Sequence, residues 1–130
     1  DLSAALATTR PEAGIDILMG VGGGPQGILA AAALRCAGGD MQARLAPLTQ
    51  DEVDQCYAHG ITDIKKKYTL DELIRGEVMF AATGVTTGDY LEGVRFFRGG
   101  GTTNSVVMRS QTHTVRYIHT THHFDFKPVY

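Results

Sequence analysis

Between residues 15 and 37 the sequence runs from a short apolar stretch through three consecutive glycines into an alanine-rich one, an order few folds accommodate. Residues 15–21 hold Ile15, Ile17, Leu18, Met19 and Val21, enough branched and apolar side chains to predict a buried strand. Residues 25–37 are rich in Ala and Leu with no breaker after Gly27, which predicts a helix. Gly22, Gly23 and Gly24 permit backbone approaches that a side chain would forbid. Pro25 then falls in the first helical turn, where a missing N–H costs nothing. A strand entering a helix through glycines aims free amides and the positive end of the helix dipole at one point, which suits an anion such as phosphate.

The spacing Gly22-x-Gly24-x-x-Gly27 also satisfies the dinucleotide fingerprint, but its context is missing. The next strand candidate, 41–45, runs into Ala46 and Pro47 and not to an acid that could hold a ribose hydroxyl. No Gly-Lys-Ser/Thr follows the glycines, so a Walker loop is excluded. A glycine-rich turn used only for packing remains open beside the anion site.

Residues 17–45, with Gly20-Val-Gly-Gly-Gly-Pro-Gln-Gly27 at their centre; 80–96, with Thr83-Gly-Val-Thr-Thr-Gly-Asp-Tyr90; and 102–118, with Asn104-Ser-Val-Val-Met-Arg-Ser110, form three ordered blocks. Together they resemble the C-terminal part of class II fructose-1,6-bisphosphatases. The resemblance implies a layered α/β sugar-phosphatase-like fold, a mixed β-sheet with flanking helices. It implies hydrolysis of the 1-phosphate of fructose 1,6-bisphosphate with Mg2+ or Mn2+, in gluconeogenesis or glycerol use. Similar enzymes keep most metal-holding carboxylates upstream of the position of Asp1, so that metal-binding part is expected to be absent from these residues. Asp1 takes the place of the last acid of an Asp-Gly-Asp triplet that contacts substrate, and Gly23 that of a residue against a substrate phosphate. Gln26 stands where the family pattern has a metal-serving Glu. An amide keeps the acceptor oxygen but loses the charge a hard cation favours. A non-catalytic sugar-phosphate-binding or regulatory module is therefore the second reading.

The remaining residues fit one domain over 1–130, with no internal repeat or low-complexity linker. A net charge of −2 argues against nucleic acid or an anionic membrane as partner. No apolar run approaches the ~20 residues of a membrane span. There is no basic-then-apolar leader, and Cys36 and Cys56 lack metal or redox spacing, so a cytoplasmic protein with reduced thiols is expected.

Asp1 can also cap a short helix that sets Leu2 and Leu6 on one face. Gly38 and Gly39 close the alanine-rich helix, and a right-handed βαβ unit linking 15–21 to 41–45 is the economical topology. Thr49/Glu52 and Thr69/Glu72 match capping boxes that open a helix running to about His59 and a shorter one ending at Gly76. Lys65, Lys66 and Lys67 between them form a solvated charged face or, alternatively, a phosphate contact.

Residues 77–83 predict a second buried strand, leading to a loop in which Thr86, Thr87 and Asp89 are turn formers first and ligand candidates second. Were that strand parallel to 15–21, the loop would sit beside the glycines. Residues 93–97, 103–110 and 114–121 predict strands, with a hairpin at 111–113. Their mixed basic and apolar alternation suits a sheet edge or a contact between protomers of a homo-oligomer. His119, His122 and His123 lack a companion Cys or acid at a zinc-like spacing, and a polar strand end accounts for them. No paired-carboxylate cluster and no G-x-S-x-G elbow supply a catalytic centre within these residues.

Overall fold

The computed structural model describes residues 2–125. Helix α1 (Leu2–Ala7) and a short turn at Pro11–Ala13 precede helix α2 (Gly24–Ala37). Strand β1 (Gln42–Ala43), helix α3 (Gln50–Ala58), strand β2 (Tyr68–Thr69) and helix α4 (Leu70–Leu73) follow. Strands β3 (Met79–Thr83), β4 (Arg95–Phe97), β5 (Gly100–Arg109) and β6 (Thr114–His123) complete the chain.

Helices flank an antiparallel sheet, the α/β class expected. β5 is its spine: β6 pairs with it along the whole length, Gly100 opposite His123 through Arg109 opposite Thr114. The other edge of β5 is shared, β4 taking residues Gly100–Thr102 and β3 taking Ser105–Arg109. The hairpin predicted at 111–113 turns through His113 at φ 48, a left-handed conformation that closes β5 onto β6.

Three expectations are corrected. Residues 15–21 form no strand; they run outside any helix or strand, with Ile17 73%, Met19 84% and Val21 85% exposed. A strand needs a neighbour to satisfy its backbone, and among the described residues none is offered there. The βαβ unit falls with it, because the segment after α2 contributes only the two residues of β1, which pair antiparallel with β2. The strand at 77–83 exists as β3, but it is antiparallel to β5 and buries Phe80 on one face while Met79 stays exposed on the other. The loop after it is consequently not placed beside the glycines by a parallel sheet.

The core lies between α2 and the sheet. Leu6 from α1, Ala33 and Cys36 from α2, Phe80 from β3 and Val106 and Met108 from β5 pack together. Small side chains at Ala30–Ala33 let the helix backbone lie close to its neighbours, and a second cluster joins Ala31 and Ala32 to Ile74. Gly38, at φ 78, ends α2, with its N–H donating to the Leu34 carbonyl. Cys36 is fully buried, its thiol pKa pushed up by that burial, so it behaves as a core residue rather than a nucleophile.

Both capping residues sit where expected. The Thr49 hydroxyl accepts from the Glu52 amide at 3.3 Å, and the Glu52 carboxylate accepts from the Thr49 and Leu48 amides at 3.3 and 2.6 Å. Thr49→Ala is expected to cost about 1 kcal/mol in urea-monitored stability; no loss would show that α3 is held by other contacts. At α4, Glu72 accepts from the Thr69 amide at 3.0 Å, yet the helix stops at Leu73, short of Gly76.

Candidate functional site

The amides offered by the glycine turn follow from its backbone. Gly23, at φ −67 and ψ 145, is the N-cap of α2, and it lacks a side chain to cap the helix. Gly27 N–H donates to the Gly23 carbonyl at 3.0 Å, closing the first turn, and Pro25 has no N–H to place. The amides of Gly22, Gly23, Gly24 and Gln26 have no hydrogen-bond partner among the described residues. They lie at the positive end of a fourteen-residue helix. The turn is open, since a Cβ added at Gly22, Gly24 or Gly27 would meet nothing within 4 Å.

Gly23 differs. A Cβ there would overlap the side-chain oxygen Oε1 of Gln26, which folds back over the helix entry. The overlap involves only the end of the flexible Gln26 side chain, and it shows that the two residues singled out by resemblance are neighbours in space. Asp1, the third, lies outside the described residues, and so does its expected cap on α1.

Among the other sequence candidates, Thr87, Lys66, His119 and His122 have structural partners. Thr87 Oγ1 accepts from Gly93 N–H at 3.1 Å, and Gly84, Gly88 and Val94 amides donate to Asn104, Leu91 and Val85 carbonyls. Residues 84–94 thus form a closed lobe, as turn formers would. Lys66 Nζ is 2.8 Å from a Glu72 oxygen and 4.9 Å from the Tyr68 ring centroid; the carboxylate raises its pKa. In return Lys66 holds the Glu72 carboxyl below its ordinary range. His119 and His122 pair with Asn104 and Thr103, at 2.8 and 2.9 Å. They occupy opposite faces of β6, and no group of three His, Cys, Asp or Glu converges among the described residues.

Sequence reasoning missed one feature. A shallow cleft of about 240 Å³ is lined by Tyr90, Leu91, Asn104, Ser105, Tyr117 and His119, with others. The Arg10 guanidinium lies 5.6 Å from the Tyr90 ring centroid, and burial, followed by the Tyr117 contact, pushes the Tyr90 hydroxyl pKa up. The signal was thin: Arg10 and Tyr90 are far apart in sequence, and nothing near either announces their contact.

A model of the family described as bacterial fructose-1,6-bisphosphatase, glpX-encoded, matches residues 1–122. The chain belongs to this family. It is 43% identical over 135 residues to a protein named D-fructose 1,6-bisphosphatase class 2/sedoheptulose 1,7-bisphosphatase from Synechococcus sp. strain JA-3-3Ab. It is 39% identical over 138 residues to a protein of the same name from Synechococcus elongatus. These matches cover 94% and 96% of the chain but 39% and 40% of the relatives, so the chain spans about two-fifths of their length.

Within this bacterial fructose-1,6-bisphosphatase family the metal question can be put to the residues present. Gln26 brings one neutral oxygen to the helix entry, and no acid accompanies it in a group of three among the described residues. A hard divalent ion prefers several charged oxygen ligands. The described residues do not make such a site by themselves.

Proposed function

We propose that this chain supplies the phosphate-holding face of a sugar-bisphosphate phosphatase. The intact enzyme would hydrolyse the 1-phosphate of fructose 1,6-bisphosphate, in gluconeogenesis or glycerol use. The observation that carries the reading is the open turn at Gly22–Gly24 heading α2, in a chain of this family. Unpaired amides at a helix start bind phosphate oxygens through N–H donors and the dipole together. Gly23 lies against the phosphate in this reading, Asp1 contacts substrate, and Gln26 holds the position of a metal-serving acid. Mg2+ or Mn2+ belongs to the intact enzyme, with its charged ligands contributed from outside the described residues. We extend the reading to a cytoplasmic homo-oligomer. The relatives' names join fructose and sedoheptulose bisphosphates, and the amide cradle recognises the phosphate common to both.

Gln26 favours a second reading, a sugar-phosphate-binding or regulatory module that has lost the acid. The assay that separates them is phosphate release from fructose 1,6-bisphosphate with Mn2+ or Mg2+. The 130-residue chain alone is expected to give none, and metal-dependent release by it would overturn the division of labour just described. In the longest natural form, turnover with Gln26 in place would sink the module. Turnover appearing only with Gln26→Glu would sustain it, with a rise of about a hundredfold or more marking the restored charge.

A further inference from the structure

We propose that the cleft between the 84–94 lobe and the β5–β6 ladder is a second ligand site, which takes a neutral sugar ring through Asn104 and Glu92. It shares no residue with the glycine turn. Its walls are fixed to each other. The Gly84 amide donates to the Asn104 carbonyl at 3.0 Å, and across the ladder Asn104 lies opposite His119 and Ser105 opposite Ile118. The recess is therefore set by the register of two paired strands and a closed lobe.

Asn104 supplies the observation that asks for a ligand. Its Oδ1 meets Nδ1 of His119 at 2.8 Å, while its Nδ2 is buried with no hydrogen-bond partner among the described residues. Turning the amide over only exchanges which of its two ends is orphaned. A buried polar group of this kind costs stability until a partner is supplied. One water would satisfy it, but the cleft holds about 240 Å³, several times the roughly 30 Å³ of a water molecule. It is also smaller than the roughly 300 Å³ at which drug-sized pockets begin, which restricts the ligand to a single ring.

The lining selects among single rings. Among the described residues no Lys or Arg lines the cleft and Glu92 does, so an anion such as a phosphate ester is repelled. Arg10, over the Tyr90 ring, is held by Glu12 at 2.9 Å. The Tyr90 and Tyr117 rings are tilted by 49° with centroids 6.5 Å apart, and so do not form the parallel slot that would sandwich a flat base. A puckered ring suits this wedge. Its C–H face lies on one aromatic ring, and its hydroxyls, each both donor and acceptor, meet Asn104 Nδ2 and the Glu92 carboxylate. Glu92 is only loosely paired, with Arg95 3.6 Å away, and keeps acceptor capacity for those hydroxyls. Tyr117, 63% exposed, is the wall that swings aside to admit a hydroxyl to the buried amide. The assignment does not rest on the phosphatase reading.

Titration of the isotope-labelled chain with D-glucose and, separately, D-fructose tests it, read at the Asn104 side-chain amide and the His119 and Tyr117 rings. At least one of the two sugars is expected to shift these signals saturably and to leave the Gly22–Gly24 amides fixed. Adenosine and fructose 1,6-bisphosphate should leave the cleft signals where they were. Asn104→Leu removes the orphaned amide at similar volume, so its melting temperature should equal or exceed that of the parent, with sugar affinity weaker by about tenfold or more. Glu92→Ala, at an exposed side chain, should weaken the sugar several-fold and leave the melting temperature unchanged. The proposal is overturned by the lack of a saturable shift with either sugar, or by a cleft that answers to adenosine or to the bisphosphate. It is equally overturned by a lower melting temperature in Asn104→Leu, which would mean that the amide is already satisfied, or by unchanged sugar affinity in both variants.

Discussion

Gly84→Ala is expected to cost about 3 kcal/mol, measured by urea denaturation, because its methyl group would enter backbone rather than space. A Cβ at Gly84 overlaps the Glu92 carbonyl oxygen, and Leu91 Cβ lies 3.2 Å away on the same side. The lobe at 84–94 cannot open to relieve the overlap without losing its own closure. Gly84 N–H donates to Asn104 and Val94 N–H donates to Val85, at 3.0 and 3.1 Å, so both its ends are pinned. Gly93 is confined in the same way, a Cβ there falling 2.6 Å from Thr86 and Thr87 backbone atoms. Gly88→Ala in the same lobe is the control, since a Cβ at Gly88 meets nothing within 4 Å. Equal losses at Gly84 and Gly88 would mean that the lobe is not packed as described.

The second large effect is a contrast between two apolar residues. Leu6→Ala should cost about 3 kcal/mol, for Leu6 is 1% exposed and packs with Ala33, Cys36 and Val106, where a cavity would remain. Ile17→Ala should stay within about 0.5 kcal/mol in the isolated chain, because no core depends on it. A central buried strand at 15–21 would reverse that order. Thermal or urea unfolding of the two variants therefore decides between the sequence expectation and the observed fold.

The contrast also shows what was legible in the residues and what was not. Local signals held where the responsible chemistry is local. Thr49 and Glu52 cap α3 as their spacing demands, Gly38 ends α2 in the left-handed region, and 111–113 turns a hairpin. Pro25 lies in the first turn of α2, one residue inside its start. Strand direction was not legible, because β3 and β5 owe their antiparallel pairing to a chain path through the 84–94 lobe and not to any residue within them. Residues 15–21 failed for another reason: periodicity reports which side chains favour burial, but not whether a neighbour is present to bury them. At the site, the closeness of Gly23 and Gln26 was legible because they stand three positions apart, across about one helical turn. The cleft at Tyr90 and Tyr117 was not, since its parts meet only through the sheet register.

That a glycine-rich helix entry holds the oxygens of a phosphate is most directly tested by amide NMR. The isotope-labelled 130-residue chain would be titrated with inorganic phosphate and, separately, with fructose 1,6-bisphosphate. Both should shift the Gly22, Gly23, Gly24 and Gln26 amides saturably and leave the β5–β6 amides where they were. Amides at the turn that stay fixed through the titration, whether or not signals elsewhere move, would contradict the account.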